Sequence, residues 1–380
     1  MFFALLLALA ATAGGALLTY FYDRDAGPLA RLSAGAATGT AALGLVGFIL
    51  SSFMGLNTPA LAVSGALTAA PLLLLVRNAK LRARIKDDLR DATEDVRRAA
   101  TLRDARGATA LLLLVASALL LWTVFGRAMY VRGGDTFTGL ENNIGDLPFH
   151  VGIISGFVHG ENFPPEHPEY AGARLTYPFI VDFVTAMYVR AGATLEGALF
   201  WQNFMLAVAL VVLLWRWASE LTRDRLAALL TPALVLLNGG LGFYHFLRES
   251  GDVALTHYYT MWGESYRWGN AVAILLVPQR GLLLGLPVAL VVWTLWWKAE
   301  EGKREKVKGK SEADDAKPRR AAVKKGGKKK GKLSNSQTAE RAHAATVTAA
   351  TIKAEASSAR LSSAGLSTSR ARFAFYLLPF

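Results

Sequence analysis

Long apolar runs constrain this chain more than any other feature of its sequence. Each run is about 20 residues long and almost free of charge, which is the length that a helix needs to cross ~30 Å of hydrocarbon. Because lipid cannot hydrogen-bond to the backbone, such runs are expected to be helical. They predict an all-α, polytopic transmembrane helical bundle of about seven spans: Phe2–Phe21, Ala34–Leu56, Ala60–Val76, Ala108–Phe125, Ala198–Leu214, Leu226–Phe243 and Gly281–Trp297.

The excess of positive charge is concentrated near the end of the chain. Of a net charge of +13, much lies in residues 298–332, which hold fifteen Lys/Arg and six Asp/Glu. A basic charge confined in this way does not predict nucleic acid as a partner. The sequence KKGGKKKGK and the Ala/Ser/Thr-rich stretch after it predict a disordered, low-complexity basic tail over 298–380. A polybasic stretch beside a span also suits anionic lipid, so membrane lipids are predicted partners.

Loop charges predict the orientation, because cytoplasmic loops collect Lys and Arg. Residues 77–106 contain ten basic residues, and counting outward from them places the N-terminus and the acidic segment 127–196 on the non-cytoplasmic face. Residues 177–189 are apolar but short, and Asp182 interrupts them. We expect them to pack along the membrane surface or half-way in, which leaves the C-terminus inside.

These patterns divide the chain into four parts. Residues 1–76 are predicted to form three transmembrane helices, and the first is expected to be a retained helix because no Lys or Arg precedes it. Residues 77–107 form an amphipathic helix, for which a position at the headgroups and a solvated linker both remain open. Residues 108–297 form a core with an external loop at 127–196 and four more spans, and 298–380 form the tail. The terminal RARFAFYLLPF resembles the start of another apolar helix, which predicts an incomplete functional unit.

Small residues in the second span predict close helix contacts. Gly35 and Gly39 are four apart, and Gly44 and Gly47 follow on the same run. Glycine at such spacing lets two backbones approach.

The external segment carries the first candidate site. Asp146 and His150 stand four apart in GDLPFH, so on a helix they are neighbours on one face and can share a proton. Asp146 also precedes a Pro in a first helical turn, where its carboxylate would cap free backbone N–H groups. The residues alone leave both interpretations open.

Further polar residues follow in this segment and in a second predicted external stretch, residues 244–280. Glu166, His167 and Glu169 are metal-ligand types without a fixed helical spacing, so no metal site is assigned, although a divalent metal ion is not excluded as a cofactor. Arg174 offers a planar fork for phosphate or carboxylate, or a side chain that reaches headgroups. Arg280 begins the last span, where a helix N-terminus favours an anion. The predicted substrate-binding residues are Glu141, Glu161, Arg174, Tyr177, Asp182, His257 and Arg280.

GDLPFH, followed by FPPEHPEYAG and LTYPF, resembles the first external loop of the C-type membrane glycosyltransferases, over about residues 108–297. The resemblance extends to the protein O-mannosyltransferase and aminoarabinose-transferase branch and to a related uncharacterised bacterial family. It implies a bacterial inner or plasma membrane and a polyprenyl-phosphate-linked sugar as donor, with an unknown acceptor. It also implies that Asp146 is the general base, that His150 and Glu161 support it, and that Arg174 or Arg280 holds the lipid phosphate. The family's usual second acid is absent, because Leu147 follows Asp146.

Two other classes of function remain as alternatives. A transporter is disfavoured because almost no ionisable residue lies at mid-membrane depth in the predicted spans. A non-catalytic membrane scaffold would use the polybasic tail to bind lipid or an acidic partner.

Overall fold

The protein is an all-α transmembrane helical bundle. The structure is a computed structural model that describes residues 1–239 and 269–315, with the side chains of residues 141 and 305–315 left out. The described helices are α1 (Phe2–Tyr22), α2 (Pro28–Met54), α3 (Thr58–Arg77, including a 3₁₀ stretch), α4 (Ala79–Ala100), α5 (Ala105–Ala128), α6 (Asp146–His159), α7 (Ile180–Arg190), α8 (Leu195–Thr222), α9 (Arg225–Leu236) and α10 (Arg280–Asp315).

Six of these helices are long and apolar enough to cross a membrane. Within the described residues they are α1, α2, α3, α5, α8 and the Arg280–Arg304 part of α10. The predicted span Leu226–Phe243 corresponds to α9, an apolar helix of 12 residues with Pro232 inside it. The last four residues of that predicted span, 240–243, lie outside the described residues.

Helix ends follow local sequence signals. Asn57, Asn78, Thr194 and Asp224 each accept a hydrogen bond from a backbone N–H of the first turn that follows, at the starts of α3, α4, α8 and α9. Such N-caps satisfy donors that the helix itself cannot. Short polar residues therefore mark the starts of these four helices.

The predicted glycine contacts in α2 are present. A Cβ on Gly35 would lie 2.3 Å from the backbone nitrogen of Ala16, and one on Gly39 would lie 2.0 Å from the carbonyl oxygen of Ala11. The backbones of α1 and α2 touch there because neither glycine has a side chain. Further along α2, Gly44 and Gly47 face side chains of α7 in the same way.

The short helix α7 lies in the protein interior. Its residues from Val181 to Tyr188 are all buried, and eleven residues extend only about 16 Å, too short for a span. The prediction that 177–189 does not span agrees with this length, but the helix is covered by protein on every side. An aromatic cluster packs α7 against α2 and α6, with Phe48, Phe157, Phe163, Phe179 and Phe183 in ring contact.

One feature departs from a purely helical fold. A two-residue turn, Gly133–Gly134, joins two short antiparallel strands, β1 (Met129–Arg132) and β2 (Asp135–Thr138). Both glycines have positive φ, the conformation that a tight hairpin turn requires. Asn143, in the 3₁₀ turn that follows, donates to the carbonyl oxygen of Ala128 and so holds this segment against the end of α5.

Helix α10 continues past the predicted start of the basic tail. Disorder was expected from Lys298, but α10 continues to Asp315. The continuation is helped by ion pairs of its first charged residues, because Lys298 contacts Asp23 and Asp25, and Glu301 contacts Arg223. Residues 316–380 lie outside the described residues.

Candidate functional site

Three consecutive residues, Pro278, Gln279 and Arg280, form the hub of the candidate site. They follow a π-helical turn at Val272–Leu276 and lead into the first turn of α10. Each contacts a different polar group of α6, α7 or the segment between them. The last span is therefore tied to the 127–196 segment through these three residues.

Beneath the surface lies a buried charged cluster. His150, Asp182 and Arg280 are each at most 1% exposed. His150 Nδ1 lies 2.8 Å from Asp182 Oδ2, and its Nε2 donates to the carbonyl oxygen of Pro278 at 2.9 Å. Both ring nitrogens are thus occupied by protein groups.

Arg280 supplies the main positive charge opposite Asp182. One of its terminal nitrogens donates to Asp182 Oδ1, and the other donates to Thr185 Oγ1 at 2.7 Å. Its Nε donates to Asn203 Oδ1 at 3.2 Å, from α8. Thr185 in turn donates to Gln202 Oε1, so the guanidinium is surrounded by partners from α7 and α8. A buried ion pair of this kind is stable only when its remaining donors and acceptors are satisfied in this way.

Asp146 lies above this cluster at the start of α6 and is half-buried. Its Oδ1 accepts a hydrogen bond from Gln279 Nε2 at 3.0 Å, and no other side-chain partner is found for it among the described residues. Gln279 Oε1 accepts a hydrogen bond from the Tyr177 hydroxyl at 2.8 Å. The two bonds fix the orientation of the amide, because its oxygen faces a donor and its nitrogen faces an acceptor.

Tyr177 remains a reliable donor in this chain. Burial raises the pKa of its hydroxyl, and the negative charges of Asp182 and Asp146 raise it further. The phenol therefore stays protonated throughout the neutral range. Its ring also packs edge-on against Phe149 and His150, which holds the hydroxyl in place.

The loop between α6 and α7 folds beside Asp146. Glu166 and Arg174 pair through their backbones, and the His167 ring contacts Phe149 at 5.2 Å. Arg174 is exposed, and so is Glu161, which has a positive φ. Arg174 is therefore the predicted phosphate ligand that is accessible from solvent.

Several predicted contacts are not formed. Asp146 and His150 do not pair, because the imidazole faces Asp182 and Pro278. Asp146 does not cap α6 either: the cap position is Gly145, without a side-chain bond, and the carboxylate reaches Gln279. A carboxylate in a first turn is still favoured by the helix dipole.

Two predicted substrate-binding residues are buried structural groups. Asp182 and Arg280 satisfy each other inside the protein, so neither presents a free charge to a ligand. The anion at the N-terminus of the last span is the chain's own Asp182. His257 lies outside the described residues, as does the side chain of Glu141.

Sequence reasoning missed the amide partners. Gln279 stands beside the more conspicuous Arg280, and Gln202 and Asn203 lie within the predicted apolar span Ala198–Leu214. The signal available was that adjacent amide side chains inside an apolar helix need polar partners in the protein.

Among the residues that the structure describes, no group of three or more His, Asp or Glu side chains is arranged to hold a metal ion. Glu166 and His167 instead accept hydrogen bonds from backbone N–H groups of their own loop. Two cavities in the described part of the chain lie away from this site, one beside Asp23 and Arg216 and one beside Arg97. Comparisons of the chain with protein-family models, curated protein sequences and solved structures return no match.

Proposed function

We propose that this protein is an integral-membrane glycosyltransferase that moves a sugar from a polyprenyl-phosphate donor to an acceptor hydroxyl. The observation that supports the proposal is the half-buried Asp146 carboxylate, held through one oxygen by Gln279 at the end of the bundle. The resemblance of GDLPFH and its neighbours to the external loop of C-type membrane glycosyltransferases supports the same assignment.

In the proposed reaction Asp146 is the general base. Its second oxygen accepts the proton of the acceptor hydroxyl while the hydroxyl oxygen bonds to the anomeric carbon of the sugar. The bond from that carbon to the phosphate oxygen breaks, and polyprenyl phosphate leaves with the electron pair. A base of this kind needs hydrogen-bond reach to the hydroxyl, and the half-buried Asp146 carboxylate is partly accessible from solvent.

The buried cluster acts as a positioning group in this proposal. Pro278 and Arg280 are fixed by His150 and Asp182, and Gln279 lies between them in the chain. A base held to within a fraction of an ångström reacts much faster than a loosely held one. Arg174, which is exposed in the neighbouring loop, is the residue we assign to the leaving phosphate.

The first test is Asp146→Asn in proteoliposomes with polyprenyl-phosphate-linked hexoses and pentoses. We expect transfer, measured as released polyprenyl phosphate, to fall about 10²–10⁴-fold, the usual contribution of a general base. The matched control is Asp135→Asn, which changes an exposed carboxylate in the hairpin.

Both variants should give the wild-type melting temperature within error, because neither removes a buried contact. Unchanged transfer by Asp146→Asn would exclude it as the base. If the wild-type protein releases no polyprenyl phosphate with any donor of the panel, the proposed activity is wrong.

A further inference from the structure

Helix α4 lies across one end of the bundle rather than projecting from it. Near its start, Arg82 donates to the carbonyl oxygen of Val76 at the end of α3. In its first half, Arg84 donates to the carbonyl oxygen of Arg24, and close to its last turn Ala99 packs against the first turn of α5. These contacts along its length hold the helix against the ends of several spans. It must therefore lie at the level where those spans leave the membrane.

One side of α4 is already covered by protein. Leu81 and Ala99 are buried, and Asp88 faces Arg31 of α2 at 3.7 Å. Next to this side on the helix surface stand Leu89 and Val96, which are seven residues apart and each 54% exposed. The apolar residues of α4 therefore extend beyond the surface that the rest of the protein covers. Part of this apolar surface has no partner among the described residues.

Basic residues lie beside this uncovered edge. Lys86, Arg90 and Arg97 are exposed and follow one another at intervals of four and seven residues, which places them on one helix face. That face adjoins Leu89 and Val96. The aspartates of the helix stand on the other side: Asp87, Asp88, Asp91 and Asp95. Glu94 lies next to the basic residues and lines a surface cavity with Arg97.

We propose that Lys86, Arg90 and Arg97, with Leu89 and Val96, form a docking face for an anionic lipid leaflet. An apolar edge flanked by basic residues is the pattern of helices that lie in the plane of a membrane. The phosphates of anionic lipids bind the three cations, while Leu89 and Val96 enter the acyl boundary. Helices α3 and α5, which join α4 through Asn78 and residues 101–104, hold it at that surface. The proposal does not depend on sugar transfer.

The absence of cysteine from the sequence makes a direct test feasible. Single-cysteine variants Leu89→Cys and Asp91→Cys carry the same fluorophore on the apolar edge and on the acidic side. Each is reconstituted in vesicles of phosphatidylcholine alone and of an equal mixture with phosphatidylglycerol. We expect lipid-attached quenchers to reach position 89, more strongly with phosphatidylglycerol, and water-soluble quenchers to reach position 91.

Charge reversals test the headgroup contacts in the Leu89→Cys background. Lys86→Glu with Arg90→Glu should raise the phosphatidylglycerol content needed for half-maximal quenching by at least about fivefold, because each basic residue near an anionic surface contributes about that factor. Lys80→Glu with Arg98→Glu changes the same charge on the other side and should leave it unchanged. A solvated linker, or a face covered by another protein, would leave position 89 unquenched by lipid and overturn the proposal. Equal effects of the two double reversals would overturn it as well.

Discussion

The two ends of the bundle each hold an aspartate between two basic side chains, but they do so in different environments. At one end Asp182 meets His150 and Arg280, and all three are almost fully buried. At the other end Asp23 meets Arg216 and Lys298, whose side chains are 13% and 22% exposed. Along α10 the two sites are 18 residues apart, or about 27 Å.

The residues that surround the two aspartate clusters also differ in burial. The Asp182 cluster is completed by Thr185, Gln202 and Asn203 from the interior of α7 and α8. The Asp23 cluster is completed by Asp25, an exposed residue of the loop between α1 and α2. Burial makes the first cluster costly to disturb and rigid, whereas water can replace lost partners in the second. This is why we place chemistry above the first cluster and regard the second as a clamp between helices.

The end of the bundle that holds the Asp23 cluster, here called the clamp end, also holds the segments that loop charge predicts to share one side of the membrane. The loop after α1 contacts α4 through Arg84, α8 through Arg216 and α10 through Lys298. The structure thus brings the basic segments to the same end of the bundle. Lys and Arg collect in loops on one face of a membrane, so a shared position at one end of the bundle is the arrangement that loop charge predicts.

The largest expected effect separates the two clusters by stability. Arg280→Met leaves Asp182 buried without its main cation and should destabilise the protein by about 3–5 kcal/mol. Arg216→Met, the matched change at the other end, should cost about 1 kcal/mol, because Asp23 keeps Lys298 and is near water. Denaturant unfolding in detergent micelles measures both.

A double variant keeps the comparison testable if Arg280→Met does not fold. Asp182→Leu with Arg280→Met removes both charges and should recover part of the lost stability, since no unpaired ion remains. Equal losses for Arg280→Met and Arg216→Met would mean that the two clusters are energetically alike, against our comparison.

A change at Gln279 tests whether this side chain positions Asp146. Gln279→Met keeps the side-chain volume but removes the bonds to Asp146 and Tyr177, so kcat should fall about 10–100-fold while KM changes little. Stability should fall by only about 1 kcal/mol, because the residue is half-buried. Steady-state transfer and unfolding are measured on the same preparations.

The control for this prediction is Asn78, the N-cap residue of α4 at the other end of the bundle. Asn78→Ala removes the bond to the Leu81 N–H and should cost a similar 1 kcal/mol or so. It should leave kcat unchanged. If both variants lose activity in proportion to stability, Gln279 has only a structural role.

The sequence predicted the membrane helices well because their signal is local. An apolar run of sufficient length has to be helical in lipid, and the glycines of α2 indicate a close contact through their lack of a side chain. The extent of α10 was harder to predict, because the ion pairs of Lys298 and Glu301 join residues that are far apart in the chain.

The site was only partly predictable for the same reason. GDLPFH identified Asp146 and His150, and the start of the last span identified Arg280. Their partners come from positions 32 to 133 residues away, as for His150 with Asp182 and Asp146 with Gln279. A helical spacing of four suggested the wrong partner for His150, because a side chain turned into the core pairs with another helix rather than its own.

The smallest effect concerns pH at the clamp end. The hydrogen bond from Lys298 lowers the pKa of Asp25, and the ammonium charge adds to this. A lowered folded-state pKa contributes stability above the unfolded value, near 4, and this contribution is lost as the pH falls through the folded value. The melting temperatures of the wild type and Asp25→Asn should therefore differ at pH 6 and converge toward pH 3, an interval set by that shift. Because Asp25 is exposed, the difference should be smaller than either effect above and should shrink in high salt. A difference that persists at low pH and high salt would show that Asp25 stabilises the clamp by packing rather than by charge.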